Sequence, residues 1–289
     1  MKRSVLIVSF GSSNLDAYKQ VESFIKNIKD SIDKELFIQC VFTSNILIKR
    51  MKEKNNIDIL NVKEALEILF NDGYKEVILQ PLHMIDGKDC DSLRNILEEN
   101  KDRFNYIKLN PTLLINKGKN TKESALNIAN AIKDNVNKDR CVVLVGHGSN
   151  RCQDNCCYTS IGINECCGDN GNVCNDDCYQ EIEKALQSIG YKNVIIGTLE
   201  GSRTRSVVLK ELKDKKIDDV IIMPLLVLPG NHIIKDIKGD NSWESLFNEN
   251  DINVEVNLKS LLEYEKIQKL YIDMINEAIN VEWKSKSLI

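Results

Sequence analysis

The 289-residue sequence sets 39 Lys and Arg against 43 Asp and Glu, a net charge of −4, with 42% hydrophobic residues. That balance is ordinary for a globular protein, and without a basic excess to neutralise phosphates it argues against general nucleic-acid binding. No run approaches the roughly 18 apolar residues of a membrane span. The apolar start leads into a helical pattern, not a cleavage site, so a cytoplasmic location is expected.

Residues 4–10 read as a buried strand, followed by Gly11-Ser12-Ser13-Asn14, a turn able to cap a helix. Val21, Ile25, Ile28 and Ile32 then recur at helical spacing through 16–33. A second strand, 36–42, ends in Thr43-Ser44-Asn45, and a helix with Val62, Leu66 and Leu69 on one face leads to Gly73. A third strand spans 76–83, and a short fourth, 106–110, stops at Pro111. Strands alternating with helices imply right-handed crossovers and a parallel sheet.

The second half repeats this order. Its strands are 141–145, 194–200, 219–226 and 253–257, and Ile182, Ala185, Leu186 and Ile189 supply its first helical face. Ser9-Phe10-Gly11 parallels Gly146-His147-Gly148 locally. Two similar α/β halves imply a bilobal protein with a cleft at the carboxyl ends of its sheets. The expected division is 1–120 for the first half, joined by a C-terminal helix at 264–281, and 121–263 for the second. A last helical pattern carries Ile267, Leu270, Tyr271, Met274 and Ala278 on one face.

The three histidines fall at comparable places. His83 ends the third strand of the first half, His147 ends the first strand of the second, and His232 follows a Pro229-Gly230-Asn231 loop after the third strand. Glu200 ends the second strand of that half. In a parallel sheet His147, Glu200 and His232 leave one edge, where two imidazoles and a carboxylate suit a divalent first-row metal with open positions. Taken singly, His147 can equally close a strand, Glu200 can be a solvated charge and His232 an exposed loop residue.

Seven of the ten cysteines lie in one polar stretch, 151–178: Cys152, Cys156, Cys157, Cys166, Cys167, Cys174 and Cys178. A disulfide-stapled secreted domain would spread them through the fold. Their spacing matches no zinc-knuckle or ferredoxin pattern. An accessory zinc or iron–sulfur site, a metal-capture or regulatory loop, and a neutral insertion all remain open.

Several motifs in this order resemble one family. They are Pro81-Leu82-His83-Met84-Ile85-Asp86-Gly87, Gly146-His147-Gly148, Gly197-Thr198-Leu199-Glu200-Gly201, and Pro224-Leu225-Leu226 leading through Gly230-Asn231-His232 to Asp240-Asn241-Ser242-Trp243. They resemble the anaerobic cobalt chelatases, or sirohydrochlorin cobaltochelatases, of the class II tetrapyrrole chelatases. The likeness covers nearly the whole chain except the cysteine-rich stretch, where this sequence departs from the family pattern.

The resemblance implies an α/β fold of two Rossmann-like domains with parallel four-stranded sheets, holding a tetrapyrrole between them. It implies insertion of Co(II) into sirohydrochlorin during anaerobic cobalamin synthesis, with no organic cofactor. His147, Glu200 and His232 would hold the metal, His147 and Glu200 assisting removal of pyrrole protons. Backbone N–H groups around Ser9, Gly11, Ser12, Gly148 and Ser149 can bind substrate carboxylates, and His83 can face the macrocycle or equally be a satisfied strand-end histidine. Lys88, Arg203 and Arg205 lie near the motifs and read first as surface charges. Three alternatives stay open: nickel or iron insertion into a related tetrapyrrole, a non-catalytic tetrapyrrole or metal carrier, and a bilobal sugar- or anion-binding protein. Oligomeric state is not legible.

Overall fold

The first apolar run becomes strand β1 (Arg3–Ser9), buried from Ser4 onward, as a central strand covered on both faces must be. It pairs in parallel with β2 (Phe37–Phe42) on one side and β3 (Glu76–Pro81) on the other, and β4 (Tyr106–Leu109) pairs with β3. Helices α1 (Leu15–Ser31), α2 (Asn45–Asn55), α3 (Val62–Asn71) and α4 (Lys88–Asn100) connect these strands. A second parallel sheet follows α5 (Asn120–Ile132), with strands β5 (Cys141–Gly146), β6 (Val194–Thr198), β7 (Asp219–Pro224) and β8 (Asn253–Val256). Its helices are α6 (Asn175–Ser188), α7 (Arg205–Asp214), α8 (Asn231–Ile237) and α9 (Trp243–Asn248), and α10 (Glu265–Ser285) ends the chain. The sheet orders are β2-β1-β3-β4 and β6-β5-β7-β8.

This computed structural model describes residues 2–32, 35–115, 120–148, 175–228 and 230–285. They form two compact units, Met1–Leu113 with Glu265–Ile289 and Leu114–Tyr264, so α10 belongs with the first sheet and α5 with the second. No described helix is long and apolar enough to cross a membrane.

Alternation along the strands builds a core on each sheet face. In the first unit Leu6, Val8, Val41, Val77 and Leu79 pack with Leu66, Leu93 and Phe104. Val5 and Ile7 point the other way and are equally buried; beyond them Phe24 of α1 meets Tyr271 of α10 with ring centroids 5.9 Å apart. In the second unit Val143, Val145, Ile195, Val220 and Ile222 pack with Val208, Leu212, Trp243 and Phe247.

Several elements differ from the expectation drawn from periodicity. Helix α1 buries Ala17, Val21, Phe24 and Ile28; Ile25 is only half-buried, and Ile32 is the C-cap outside the helix. The 17-21-24-28 spacing gives the tighter apolar stripe. Helix α2 escapes a periodicity search because only Met51 is buried among its polar residues. The Gly-Asn segment before His232 reads as a loop in the sequence. From Asn231 it is instead helix α8: Gly230 is its N-cap, and the Gly230 carbonyl accepts the Ile234 N–H at 3.1 Å. His232 therefore stands in a first helical turn.

The two units share their backbone bonding at the carboxyl edge of the sheet. In the first, the Thr43 N–H donates to Ser9 O (2.9 Å), Ser44 to Phe10 O (3.2 Å) and Leu82 to Val8 O (2.7 Å). In the second, Leu199 donates to Gly146 O (3.0 Å), Glu200 to His147 O (2.9 Å) and Leu225 to Val145 O (2.8 Å). The opposite edge matches too: Arg3 pairs with Glu76 at 3.0 Å and Arg140 with Asp219 at 2.6 Å, each tying a central strand to its neighbour.

Candidate metal and substrate site

In each sheet the connections leave the two central strands in opposite directions, and ligands of open α/β sheets bind at that switch point. In the second unit it falls between β5 and β7, and His147 is the first residue beyond β5. Its side chain is exposed, with Nδ1 3.3 Å from the Gly148 carbonyl oxygen. The two flanking glycines have separate causes. A Cβ on Gly146 would lie 2.5 Å from the Tyr179 ring of α6. Gly148 has φ +74°, and a Cβ there would lie 1.9 Å from the Glu200 carbonyl oxygen. The first glycine admits a core tyrosine, and the second lets the turn pass against the end of β6.

That passage brings Glu200 to His147. The 2.9 Å bond from Glu200 N–H to His147 O fixes the two backbones side by side, and both side chains are exposed. Strand β6 is an edge strand, and its free side is closed by side chains. Ile196 N–H donates to Glu183 Oε2 at 2.7 Å, and Arg203 Nε donates to the Ile196 carbonyl at 3.1 Å. Arg203 also pairs with Glu211 at 2.7 Å, so this guanidinium is committed to holding the strand. Burial pushes the Glu183 carboxyl above its ordinary range. Gly197 makes room for Trp243, whose ring would be 2.3 Å from a Cβ there. The glycine and tryptophan of the two sequence motifs are thus a packing pair.

His232 reaches this unit through α8, and its side chain lies outside what is described. Among the described residues no three His, Cys, Asp or Glu side chains gather closely enough to hold a metal ion. Ser149 and the six cysteines from Cys152 to Cys174 lie outside the described residues. Cys178 is buried on α6.

In the first unit the equivalent frame carries other side chains. Phe10 stands where His147 stands, and Ser44 where Glu200 stands. Counted from the glycine N-caps Gly87 and Gly230, Asp89 stands where His232 stands. The repeat in the sequence pairs Phe10 with His147, but motif reading passed over Asp89; aligning the repeats on those caps would have found it. Ser9 and Ser12 are buried and spend an acceptor on the turn: Ser9 Oγ takes the Gly11 N–H and Ser12 Oγ the Asn14 N–H, each at 3.1 Å. His83 follows β3, its two ring nitrogens buried without a hydrogen bond and Nε2 3.6 Å from Asp89 Oδ2. Lys88 is exposed, and Arg205 donates to the Asn241 carbonyl.

The profile of the cobalt chelatase family, CbiK, matches residues 3–164 and 166–280, two segments that meet inside the cysteine-rich stretch. The sirohydrochlorin cobaltochelatase of Salmonella typhimurium is 24% identical over 288 residues, covering 97% of this chain and 98% of its own. The sirohydrochlorin cobaltochelatase CbiKC of Nitratidesulfovibrio vulgaris is 24% identical over 284 residues, covering 96% and 91%. Among solved structures, SirB from Bacillus subtilis with Fe3+ has the same two-domain fold, with a TM-score of 0.63 at 16% identity over 97% of this chain and 96% of that one. With a profile match along almost its entire length and two parallel α/β units of the matching fold, the chain belongs to the CbiK family of cobalt chelatases.

Proposed function

We propose that this chain inserts Co(II) into sirohydrochlorin, using His147, Glu200 and His232. The observation that supports the reading is the backbone bond joining His147 and Glu200 at the carboxyl edge of the sheet, both residues with exposed side chains. The family and the names of its relatives supply the reaction. Insertion exchanges two pyrrole protons for one divalent ion. The protein must therefore release metal-bound water, hold the ion weakly and accept protons. His147 is the principal ligand and first proton acceptor, since a neutral imidazole can bind first-row metals and take up a proton. Glu200 offsets the ion's charge and relays a proton. His232 completes an open set of three, which lets the metal leave as a closed four-ligand cage would not. The hydroxyls of Ser9, Ser12 and Ser149 and the backbone N–H of Gly148 are offered to substrate carboxylates, Gly11 shapes the turn with its N–H held by Ser9 Oγ, and His83 faces the macrocycle.

The test is anaerobic incubation of sirohydrochlorin with Co(II) and catalytic amounts of protein, followed by absorbance, with Ni(II) and Fe(II) in parallel. Multiple turnovers with Co(II) are expected, and His147→Ala should slow them at least about a hundredfold, the usual contribution of a proton-transfer group. Stoichiometric binding without insertion would make the protein a carrier. Full activity in His147→Ala would remove the proposed role of the imidazole.

A further inference from the structure

Phe10 and His147 occupy the same place in the two units. Each follows a central strand, precedes a glycine of positive φ, and accepts at its carbonyl an N–H from the neighbouring strand end. In the second unit that place exposes an imidazole. In the first it exposes a phenyl ring, 52% accessible, although Ser9 just before it is 5% accessible. The turn needs the glycine at Gly11, whose Cβ would lie 2.6 Å from the Phe42 ring; nothing in the backbone calls for an aromatic one residue earlier.

Phe10 is not alone. Leu15, 36% exposed, opens α1, and Ile46, 66% exposed, opens α2 two residues after the Ser44 that bonds to Phe10. Phe10 lies on the loop after β1, and Leu15 and Ile46 lie in the first turns of the helices that follow β1 and β2. The other large apolar side chains exposed in this unit, Phe37 and Ile68, lie at the start of β2 and on α3. On the same edge, Thr43 Oγ1 is buried with no hydrogen-bond partner. A half-exposed aromatic at a strand-end turn, on an edge whose following helices open on exposed aliphatic residues, suits a flat, conjugated ligand, because ring faces favour offset stacking and the apolar area still leaves water.

We propose that Phe10, with Ile46 on the same strand-end edge, is the apolar platform on which the sirohydrochlorin macrocycle rests, the first unit holding the ring by its face. The proposal rests on the function stated above. Peripheral carboxylates stay clear of the platform, and the conjugated centre lies against the phenyl ring.

The experiment is an anaerobic titration of the full-length chain with sirohydrochlorin in the absence of metal, read by absorbance, beside a Co(II) titration without tetrapyrrole. Phe10→Ala should raise the sirohydrochlorin Kd about tenfold. Phe10→Tyr should stay within about twofold of the parent, because it keeps the ring face. Co(II) affinity should be the same in all three, and Ile68→Ala should match the parent in both titrations. An unchanged Kd in Phe10→Ala overturns the proposal, as does a loss that Phe10→Tyr shares. If the parent chain binds sirohydrochlorin but inserts no Co(II), the functional reading fails while the platform stands or falls on the variants.

Discussion

Gly148→Ala tests whether the turn after β5 holds the His147–Glu200 pair. At φ +74° an L-residue lies in the left-handed region, a penalty of roughly 1–2 kcal/mol. The new Cβ would also start 1.9 Å from the Glu200 carbonyl oxygen and 2.9 Å from its carbon, both backbone atoms that no rotamer change can move. The end of β6 must then retreat by more than an ångström, which overpacks the site at about 1–3 kcal/mol. The retreat strains the 2.9 Å Glu200-to-His147 bond, worth about 0.5–1.5 kcal/mol. Together the loss should be roughly 2.5–6.5 kcal/mol, a large share of the 5–15 kcal/mol typical of a domain. Urea unfolding monitored by circular dichroism measures it, and a Co(II) titration below the transition reads the site. Gly73→Ala is the comparison, since Gly73 has φ +78° with open space around it and should lose only the backbone penalty of about 1–2 kcal/mol. If Gly148→Ala were no worse than Gly73→Ala and bound Co(II) as the parent does, the turn would not be what fixes the pair.

Two further outcomes follow from buried titratable groups. Burial raises the Glu183 pKa in the folded chain, so the native state binds more protons and stability falls as pH rises above the unfolded value of about 4.3. Glu183→Gln keeps an oxygen for the Ile196 N–H and removes that slope. Its urea midpoint relative to the parent should climb between pH 4 and pH 7, and a flat difference would contradict the burial argument. Burial also raises the thiols of Cys40 to about 12 and of Cys90 and Cys141 to about 11. At pH 8 the thiolate fraction of Cys90 and Cys141 is then about a thousandth, and that of Cys40 smaller. Brief alkylation of the native chain followed by mass spectrometry should leave all three unlabelled until denaturant is added; labelling at the rate of a small-molecule thiol would refute it.

The strands were legible because central parallel strands are buried on both faces and read as unbroken apolar runs. Val5-Leu6-Ile7-Val8 and Val142-Val143-Leu144-Val145 are the clearest, each residue at most 1% exposed. Helices that sit on the surface leave a weaker trace. In α2 the sequence Asn45-Ile46-Leu47-Ile48-Lys49 buries none of its apolar side chains, so no stripe announces a helix. Helix α8 was hidden by Gly230 and Asn231, which read as loop formers until Gly230 is seen as a cap. At the site, chemistry could be read from residue types, but adjacency could not. That Glu200 bonds to His147 depends on the β5–β6 register, which pairs Gly146 with Thr198. The commitment of Arg203 to Ile196 and Glu211 likewise needs coordinates. The repeat already set Phe10 opposite His147 in the sequence, but that its ring is exposed at that position is known only from the structure.

The matching strand-end bonds have a consequence for how such a protein can change. At both Phe10 and His147 the bonds that tie the turn to the neighbouring strand end run through main-chain atoms, and both side chains are exposed. Folding therefore places little demand on the identity of either residue. A duplicated unit with this wiring inherits a finished socket whose occupant selection is free to choose, an imidazole in one copy and a phenyl ring in the other. New chemistry can then be acquired by substitution at a few strand-end positions, without any alteration to the sheet beneath them.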